Sequence, residues 1–286
     1  MVKVLIAGAG GGLGRAFAAR MEGPFEVVAL GRRALDVTRR NDVFARVQEI
    51  RPDIVVDAAG YTDVDRCEFE KWQAYLVNRD GADHLARAAA SVGALMVYPS
   101  SDLVFDGQRL LPYREEDPPN PLSVYGDTKL AGELAVMNAA PRHLIVRSGW
   151  LFGPFGRSYL DELMDWRETE EIVFGYEDQR SQPTFQLDLV AAVVDLIQKG
   201  QTGLFHAASD GEATQFQFAQ KAYEILGVKS VEVRPIRRGG SERRAALRPR
   251  NSALDCKKIE ALGIRMRPWQ AALREHLAAP GRPPAP

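Results

Sequence analysis

Two rhythms of apolar residues organise this chain. Short apolar runs predict strands at residues 2–7 (VKVLIA), 25–30 (FEVVAL), 54–56 within DIVVDAA, 94–99 (ALMVYP) and 143–150 (HLIVRSGW). Between them, apolar residues recur at helical spacing over 13–21, over 41–50 ahead of Pro52, across the alanine-rich stretch 72–92 and after Pro121. Strands that alternate with helices build βαβ units, which predicts an α/β fold with a doubly wound parallel sheet covered on both faces.

Beyond Trp150 the rhythm loosens. Helices are expected over 159–167, 185–200 and 215–226, the second ending on Gly200, and two short ones close the chain. EIVFG and TGLFHAAS read as strands. The expected organisation is a nucleotide-binding domain over 1–150, with 176–206 returning to it. A smaller C-terminal α/β lobe for substrate comprises 151–175 and 207–278. The last residues, 279–286 (APGRPPAP), are expected to be disordered.

Charge narrows the function classes. Lys+Arg 37 against Asp+Glu 38 leaves a net charge of −1, so no overall field favours nucleic acid or an anionic membrane. No apolar run is long enough to span a bilayer, and the N-terminus runs straight into a strand without a signal peptide pattern. Cys67 and Cys256 are far apart and read as free thiols of a reducing cytoplasm. The four histidines are scattered, and no metal site is expected. A homodimer is left open.

The loop GAGGGLG, residues 8–14, follows the first strand and opens the first helix. The pattern G-x-x-G-x-x-G fits at Gly8, Gly11 and Gly14, with Gly12 and Leu13 inside it. Glycines there permit a tight turn and close approach of a pyrophosphate to a helix N-terminus, the arrangement of a Rossmann dinucleotide site. The second strand ends in Leu30-Gly31-Arg32-Arg33, without the carboxylate that would hold a ribose 2′-hydroxyl. Two guanidinium groups suit a 2′-phosphate, so NADP(H) is preferred, with NAD(H) still open.

VYGDTKLAGE places Tyr125 and Lys129 four apart in a helical segment, hence on one face. A free phenol has a pKa of about 10, and a nearby ammonium would lower it, letting the tyrosine exchange a proton with a carbonyl or alcohol oxygen. SSD, at Ser100 to Asp102, ends the fourth strand, where open α/β sheets bind ligands.

These motifs, in this order, resemble the extended short-chain dehydrogenase/reductases, and among them the dTDP-4-dehydrorhamnose reductase family. LDVT at Leu35, RPDIVVDAAGYTDVDRCE at Arg51, SSDLVFDG at Ser100 and PLSVYGDTKLAGE at Pro121 carry the resemblance, joined by RSGWLFG at Arg147, QPT at Gln182 and RPRNSALD at Arg248. The resemblance implies that Ser101 stands in for a catalytic Thr/Ser, Tyr125 donates the proton, and Lys129 lowers its pKa and holds the nicotinamide ribose. It implies that Gly8, Gly11 and Gly14 carry the pyrophosphate, Asp36 and Val37 lie near the adenine, and Ala58 and Ala59 lie under the cofactor. Thr62, Val64, Asp102 and Trp150 would face the sugar of a nucleotide-linked 4-keto-6-deoxy sugar, reduced at C4 by NADPH.

The chain departs from that family at Leu103, where tyrosine is usual, and at Asp57 and Gly60, where Asn and Ala are common. SSDLVFDGQRLLPYREEDPPNPLSVYGDTKLAGE also resembles the non-catalytic β regulatory subunit of methionine adenosyltransferase. A sugar-nucleotide epimerase or dehydratase is a third reading, but a dehydratase calls for acidic residues beside the strand-four hydroxyl, where Asp102 stands alone. The arginines at 237, 238, 243, 244, 248 and 250 suit either a solvated loop, paired with Glu232 and Glu242, or a substrate diphosphate, for which Arg250 is the expected contact. Glu115 and Glu116 read as solvated loop charge.

Overall fold

The computed structural model describes residues 1–23, 25–237 and 245–279. The tail from 280, expected to be disordered, and Arg238, Arg243 and Arg244 lie outside the described residues.

The first half follows the predicted alternation: β1 (Lys3–Ala7), α1 (Gly12–Met21), β2 (Glu26–Leu30), α2 (Arg40–Ile50), β3 (Ile54–Asp57) and the short α3 (Val64–Cys67). The expected long helix is continuous over 71–91 but not uniform. It runs as α4 (Lys71–Tyr75), a π-helical turn (Leu76–Asp80) and α5 (Gly81–Ser91). Then come β4 (Leu95–Ser101), a 3₁₀ turn (Asp102–Val104), α6 (Val124–Ala139) and β5 (His143–Ser148). The second half contains β6 (Leu151–Phe152), α7 (Tyr159–Thr169), β7 (Ile172–Tyr176), β8 (Arg180–Ser181), β9 (Thr184–Phe185) and α8 (Gln186–Gln198). It ends with β10 (Gly203–His206), β11 (Ala213–Thr214), α9 (Gln215–Leu226), β12 (Glu232–Ile236), α10 (Lys257–Glu260) and α11 (Trp269–Ala278).

The central sheet is parallel, with strand order β2-β1-β3-β4-β5-β10. The chain reverses its direction of travel at β1, which has β2 on one side and β3 on the other. Crevices beyond the carboxyl ends of strands at such a reversal are where open α/β sheets bind ligands. Successive side chains point to opposite faces. Val4, Ile6, Val56, Val97 and Val146 pack with α1 and α8. Leu5, Val55, Met96 and Ile145 pack with α2, α5 and α6. Burial on both faces explains why these strands read as unbroken apolar runs. A separate apolar cluster joins α7, α9 and α11 through Leu160, Leu163, Phe218, Trp269 and Leu273.

Helix α6 is clamped to the sheet by buried charge. Glu133 receives two hydrogen bonds from Arg147 of β5, at 2.9 and 2.6 Å, and one from the Ser100 hydroxyl of β4 at 2.5 Å. The Arg147 guanidinium also lies 5.0 Å from the centre of the Phe105 ring. One turn earlier, Lys129 Nζ donates to the Pro99 carbonyl at 2.8 Å and sits 3.9 Å from the Tyr98 ring centre. Gly132 permits this contact, because a Cβ there would lie 2.2 Å from Tyr98 Oη and 2.3 Å from the Asn78 carbonyl oxygen.

The π turn has a tertiary cause. It turns Asn78 inward, where its amide donates to Tyr61 O at 3.0 Å and Thr128 Oγ1 at 2.9 Å and accepts from Tyr61 N at 2.8 Å. The Asn78 carbonyl accepts from Tyr98 Oη at 3.1 Å. The loop before α3, helix α6 and strand β4 are thereby held at one point.

Removing one partner of a buried ion pair leaves the other charge stranded. Chemical denaturation of Glu133→Ala should therefore show a loss of about 3–5 kcal/mol. A loss under about 1 kcal/mol, as for an exposed pair, would show that the pair does not hold the helix.

Candidate active site

The loop after β1 is shaped by close backbone approach. Gly8 has φ of 78°, and a Cβ there would lie 2.4 Å from Ala59 N. A Cβ on Gly14 would lie 2.3 Å from Gly8 O, and Gly11 N donates to Gly8 O at 3.0 Å. These contacts close the turn at the mouth of α1. The region around Gly10 is open, with nothing within 4 Å of its Cβ position. Helix α1 starts at Gly12 with no side-chain cap, so its first N–H groups are available to an anion. Gly12 backs onto Phe155 O and the Gln186 side chain, and Leu13 packs against the core beneath α1. The cradle fits a dinucleotide pyrophosphate.

The neighbouring residues divide in two. Arg32 and Arg33 are exposed just past β2, and Arg32 Nε lies 4.0 Å from the Asp36 carboxylate. That carboxylate also accepts from Thr38 N at 3.1 Å and Thr38 Oγ1 at 2.7 Å. Val37 is buried against Gly81, and its carbonyl contacts His84 Nδ1 at 2.9 Å. Ala58 N donates to Ala7 O at 2.9 Å, and Ala59 N to Asp57 Oδ1 at 3.1 Å, which sets both residues beside the glycine turn.

Ser101 at the end of β4 and Tyr125 in the first turn of α6 come together. Ser123 caps that helix by accepting from Gly126 N at 3.1 Å, and Glu68 accepts from Val124 N at 2.8 Å. A Cβ on Gly126 would lie 2.2 Å from Leu103 O, so glycine lets the Tyr125 turn press on the 3₁₀ turn after Ser101. The Ser101 hydroxyl accepts from Leu103 N and donates to Asp102 Oδ1, both at 3.1 Å. Burial, and next the Asp102 carboxylate, hold the Tyr125 phenol above its ordinary pKa, while the Ser101 hydroxyl pulls the other way.

Lys129 Nζ is turned to β4, and the groups that act on the Tyr125 phenol are Asp102, Cys67 and Ser101. The ammonium points down to the Pro99 carbonyl and the Tyr98 ring, and its charge is shared with Asp57 and Glu133. Burial pushes the Lys129 pKa down to about 8, against the pull of those two carboxylates. Burial likewise raises Asp57 to about 7, against the pull of Lys129.

The residues expected around the sugar come from three segments: the start of α3, the turn after β4 and the end of β5. Thr62 is exposed in the loop before α3, and Val64 opens that helix, which Asp63 caps by accepting from Arg66 N at 3.0 Å. The Trp150 ring packs against Tyr159 and Phe218, and its buried indole N–H has no partner among the described residues. Asp102 turns away from open space, being 3% exposed with its carboxylate spent on serine hydroxyls. Arg250 lines a cavity of about 730 Å³ with Arg109, Arg180, Arg248, Glu212 and Asn251. Three of these arginines are paired: Arg109 with Asp117, Arg180 with Glu212 at 3.5 Å, and Arg248 with both Asp65 oxygens at 2.5 and 2.8 Å. Arg250 makes no ion pair among the described residues.

Other charges differ from expectation. Glu232 pairs with Arg234 and Arg237 with Glu177, and Glu242 lies outside the described residues. Glu115 is half-buried and accepts from His206 N at 2.9 Å, so it is not solvated loop charge. Asn78, Glu133, Arg147, Ser181 and Ser252 all support the site without having been singled out from the sequence. Glu133 had a signal, since it continues the Tyr125–Lys129 face by one more turn.

The chain is similar to known proteins along nearly all its length. Residues 2–280 match the family model described as RmlD substrate binding domain. The dTDP-4-dehydrorhamnose reductase of Streptomyces griseus is 38% identical over 283 residues, covering 96% of this chain and 93% of that protein. The dTDP-4-keto-6-deoxy-D-glucose reductase of Streptomyces niveus is 37% identical over 277 residues, covering 95% of each. The crystal structure of dTDP-4-dehydrorhamnose reductase from Bacillus anthracis in complex with NADP matches with a TM-score of 0.93 at 32% identity, covering 97% of this chain and 99% of that one. With the glycine cradle at β1 and Ser101, Tyr125 and Lys129 gathered at the end of β4, these matches show that the chain belongs to the dTDP-4-dehydrorhamnose reductase family.

Proposed function

We propose that the chain reduces the C4 ketone of a nucleotide-linked 4-keto-6-deoxy sugar with NADPH, as a dTDP-4-dehydrorhamnose reductase. The observation that carries this is the meeting of Ser101 and Tyr125 beside an open glycine cradle, with Lys129 at the floor. The full-length similarity to proteins named as reductases favours catalysis over a regulatory role. Leu103 in place of the usual tyrosine removes a polar group from the sugar wall. Relatives named for 4-dehydrorhamnose and for 4-keto-6-deoxy-D-glucose both fit a C4 ketone.

When bound, NADPH supplies the hydride that adds to C4. Gly8, Gly11, Gly12, Leu13 and Gly14 form the seat for its pyrophosphate, and Arg32 and Arg33 suit its 2′-phosphate. NADP in the Bacillus anthracis relative supports that preference. One Lys129 donor is spent on Pro99 O, leaving two for the nicotinamide ribose. When the ketone binds, the Ser101 hydroxyl turns its one proton from Asp102 Oδ1 to the ketone oxygen and polarises it. Tyr125 Oη then gives its proton to that oxygen as negative charge develops. The burial that raises the phenol's pKa keeps this proton in place at neutral pH, which suits an acid working in the reductive direction. Arg250 supplies a guanidinium to the diphosphate. A cytoplasmic site of action accords with soluble NADPH and substrate, and no helix among the described residues is long and apolar enough to cross a membrane.

Three outcomes follow. With NADPH and dTDP-4-keto-6-deoxy-L-mannose, Tyr125→Phe should lower kcat by about 10²–10⁴-fold, followed as loss of NADPH absorbance. Wild-type NADPH binding without turnover would support the regulatory reading instead. Lys129 loses its proton as pH rises through its lowered pKa, so kcat/KM should decline above about pH 8, and a profile flat to pH 10 would contradict this. Arg250→Ala should raise KM for the nucleotide sugar about tenfold or more with kcat little changed, the loss expected of a charge-assisted hydrogen bond.

A further inference from the structure

The seat at the mouth of α1 has a wall that comes from the other half of the chain. The turn 153–156, Gly-Pro-Phe-Gly, follows β6 and lies against Gly12. A Cβ on Gly12 would lie 2.6 Å from Phe155 O, and a Cβ on Gly156 would lie 3.1 Å from Gly12 Cα. Gln186, the buried first residue of α8, holds this turn. Its Nε2 donates to Phe155 O at 3.0 Å, and its Oε1 accepts from Phe155 N at 3.4 Å. One side-chain amide thus pairs both main-chain groups of one residue, as a neighbouring strand would. The Phe155 ring is also tied to α1, where the Arg15 guanidinium lies 5.1 Å from its centre.

We infer that Gln186 is a positioning residue that latches residues 153–156 beside the pyrophosphate seat and thereby sets how fast NADPH leaves. This role rests on the glycine cradle as the NADPH seat and not on the sugar chemistry. The turn is one that would move if left alone. Glycine stands at both its ends, Gly156 has φ of 72°, and Pro154 has no N–H to give. Among the described residues, Phe155 finds both its main-chain partners in Gln186. The Phe155 carbonyl also stands beside a seat for an anion. The first N–H groups of α1 have no side-chain cap, and they are the groups a pyrophosphate takes. A main-chain carbonyl that loses its donor seeks another. Without the Gln186 amide, this carbonyl would compete with the pyrophosphate for those N–H groups.

Gly153 makes room for the clasp. A Cβ there would lie 2.7 Å from Gln186 Oε1 and 3.0 Å from Gln186 Cβ, so glycine is what lets the amide reach Phe155. The seating of α8 does not depend on that amide. Leu189, Val190 and Val193 of α8 share one apolar cluster with Ala16 and Phe17 of α1. Loss of the clasp should therefore release the turn and leave both helices in place.

The test uses the full chain loaded with NADPH, whose fluorescence is followed in a stopped-flow cell while excess NADP displaces it. Gln186→Met keeps the length of the side chain and removes both hydrogen bonds. Gly153→Ala pushes the amide away from the other side. Each should speed NADPH release about threefold to tenfold, the loss expected of one hydrogen bond. KM for NADPH should rise, with kcat no lower and KM for the nucleotide sugar unchanged. In the double variant the two effects should not add, because both open one clasp. General damage to the fold would instead lower kcat, and two such lesions would add. Wild-type release rates in both single variants, or additive effects in the double variant, would overturn the inference. Faster release from the variants, in a protein that turns over no nucleotide sugar, would leave the latch standing and remove the reductase reading. A wild-type protein that binds no NADPH would remove both. If one variant fails to fold, the release rate of the other decides.

Discussion

The hold of one helix on two strands governs this site. Glu133 and Arg147 pair in the interior, each 3% exposed or less, and Ser100 closes the pair from β4. A buried ion pair gains little over an apolar contact in stability, but it fixes geometry, because any sliding of α6 would strand a charge. The fixed quantity here is the height of α6 against β4. It sets Tyr125 at the level of Ser101 and Lys129 at the level of Pro99. Gly126 and Gly132 let the helix come close enough, since a side chain at either would strike Leu103 or Tyr98.

Buried charge in this region alternates in sign. Asp57 on β3, Lys129 and Glu133 on α6, and Arg147 on β5 form a line across the sheet end in which each cation has carboxylates beside it. That arrangement accounts for Asp57 in a place where the family commonly carries asparagine. It adds a carboxylate under Lys129, supporting the ammonium against a burial that would otherwise strip its proton. The phenol lies outside this line and responds to Asp102 and Ser101 instead. The lysine is tied to Pro99 and these carboxylates, while the serine and the aspartate act on the phenol.

The strands of the central sheet were legible because burial on both faces leaves unbroken apolar runs, and the paired residues of α6 were legible because helical spacing is fixed. Strands of two residues, such as β8 and β9, left no periodicity to read. The π turn at Leu76–Asp80 was hidden because its cause is the set of partners that Asn78 finds in Tyr61, Thr128 and Tyr98, all remote in sequence. The Lys129 contact was hidden for a similar reason. Its partner is a backbone carbonyl 30 positions away, and no residue pattern announces a carbonyl. Asp102 was placed correctly at the strand end, yet its direction depended on Ser181 and Ser252, which lie 79 and 150 positions further along.

The central claim is that α6, seated by the Glu133–Arg147 pair, presents Tyr125 and Lys129 to one nicotinamide. A crystal structure of the chain with NADPH tests it most directly. The account predicts the pyrophosphate over Gly8 to Gly14, the nicotinamide ribose on Lys129 with Pro99 still bonded, and Tyr125 Oη facing the reactive edge of the ring beside Ser101. A dinucleotide seated elsewhere, or an α6 displaced so that Tyr125 and Ser101 separate, would contradict it.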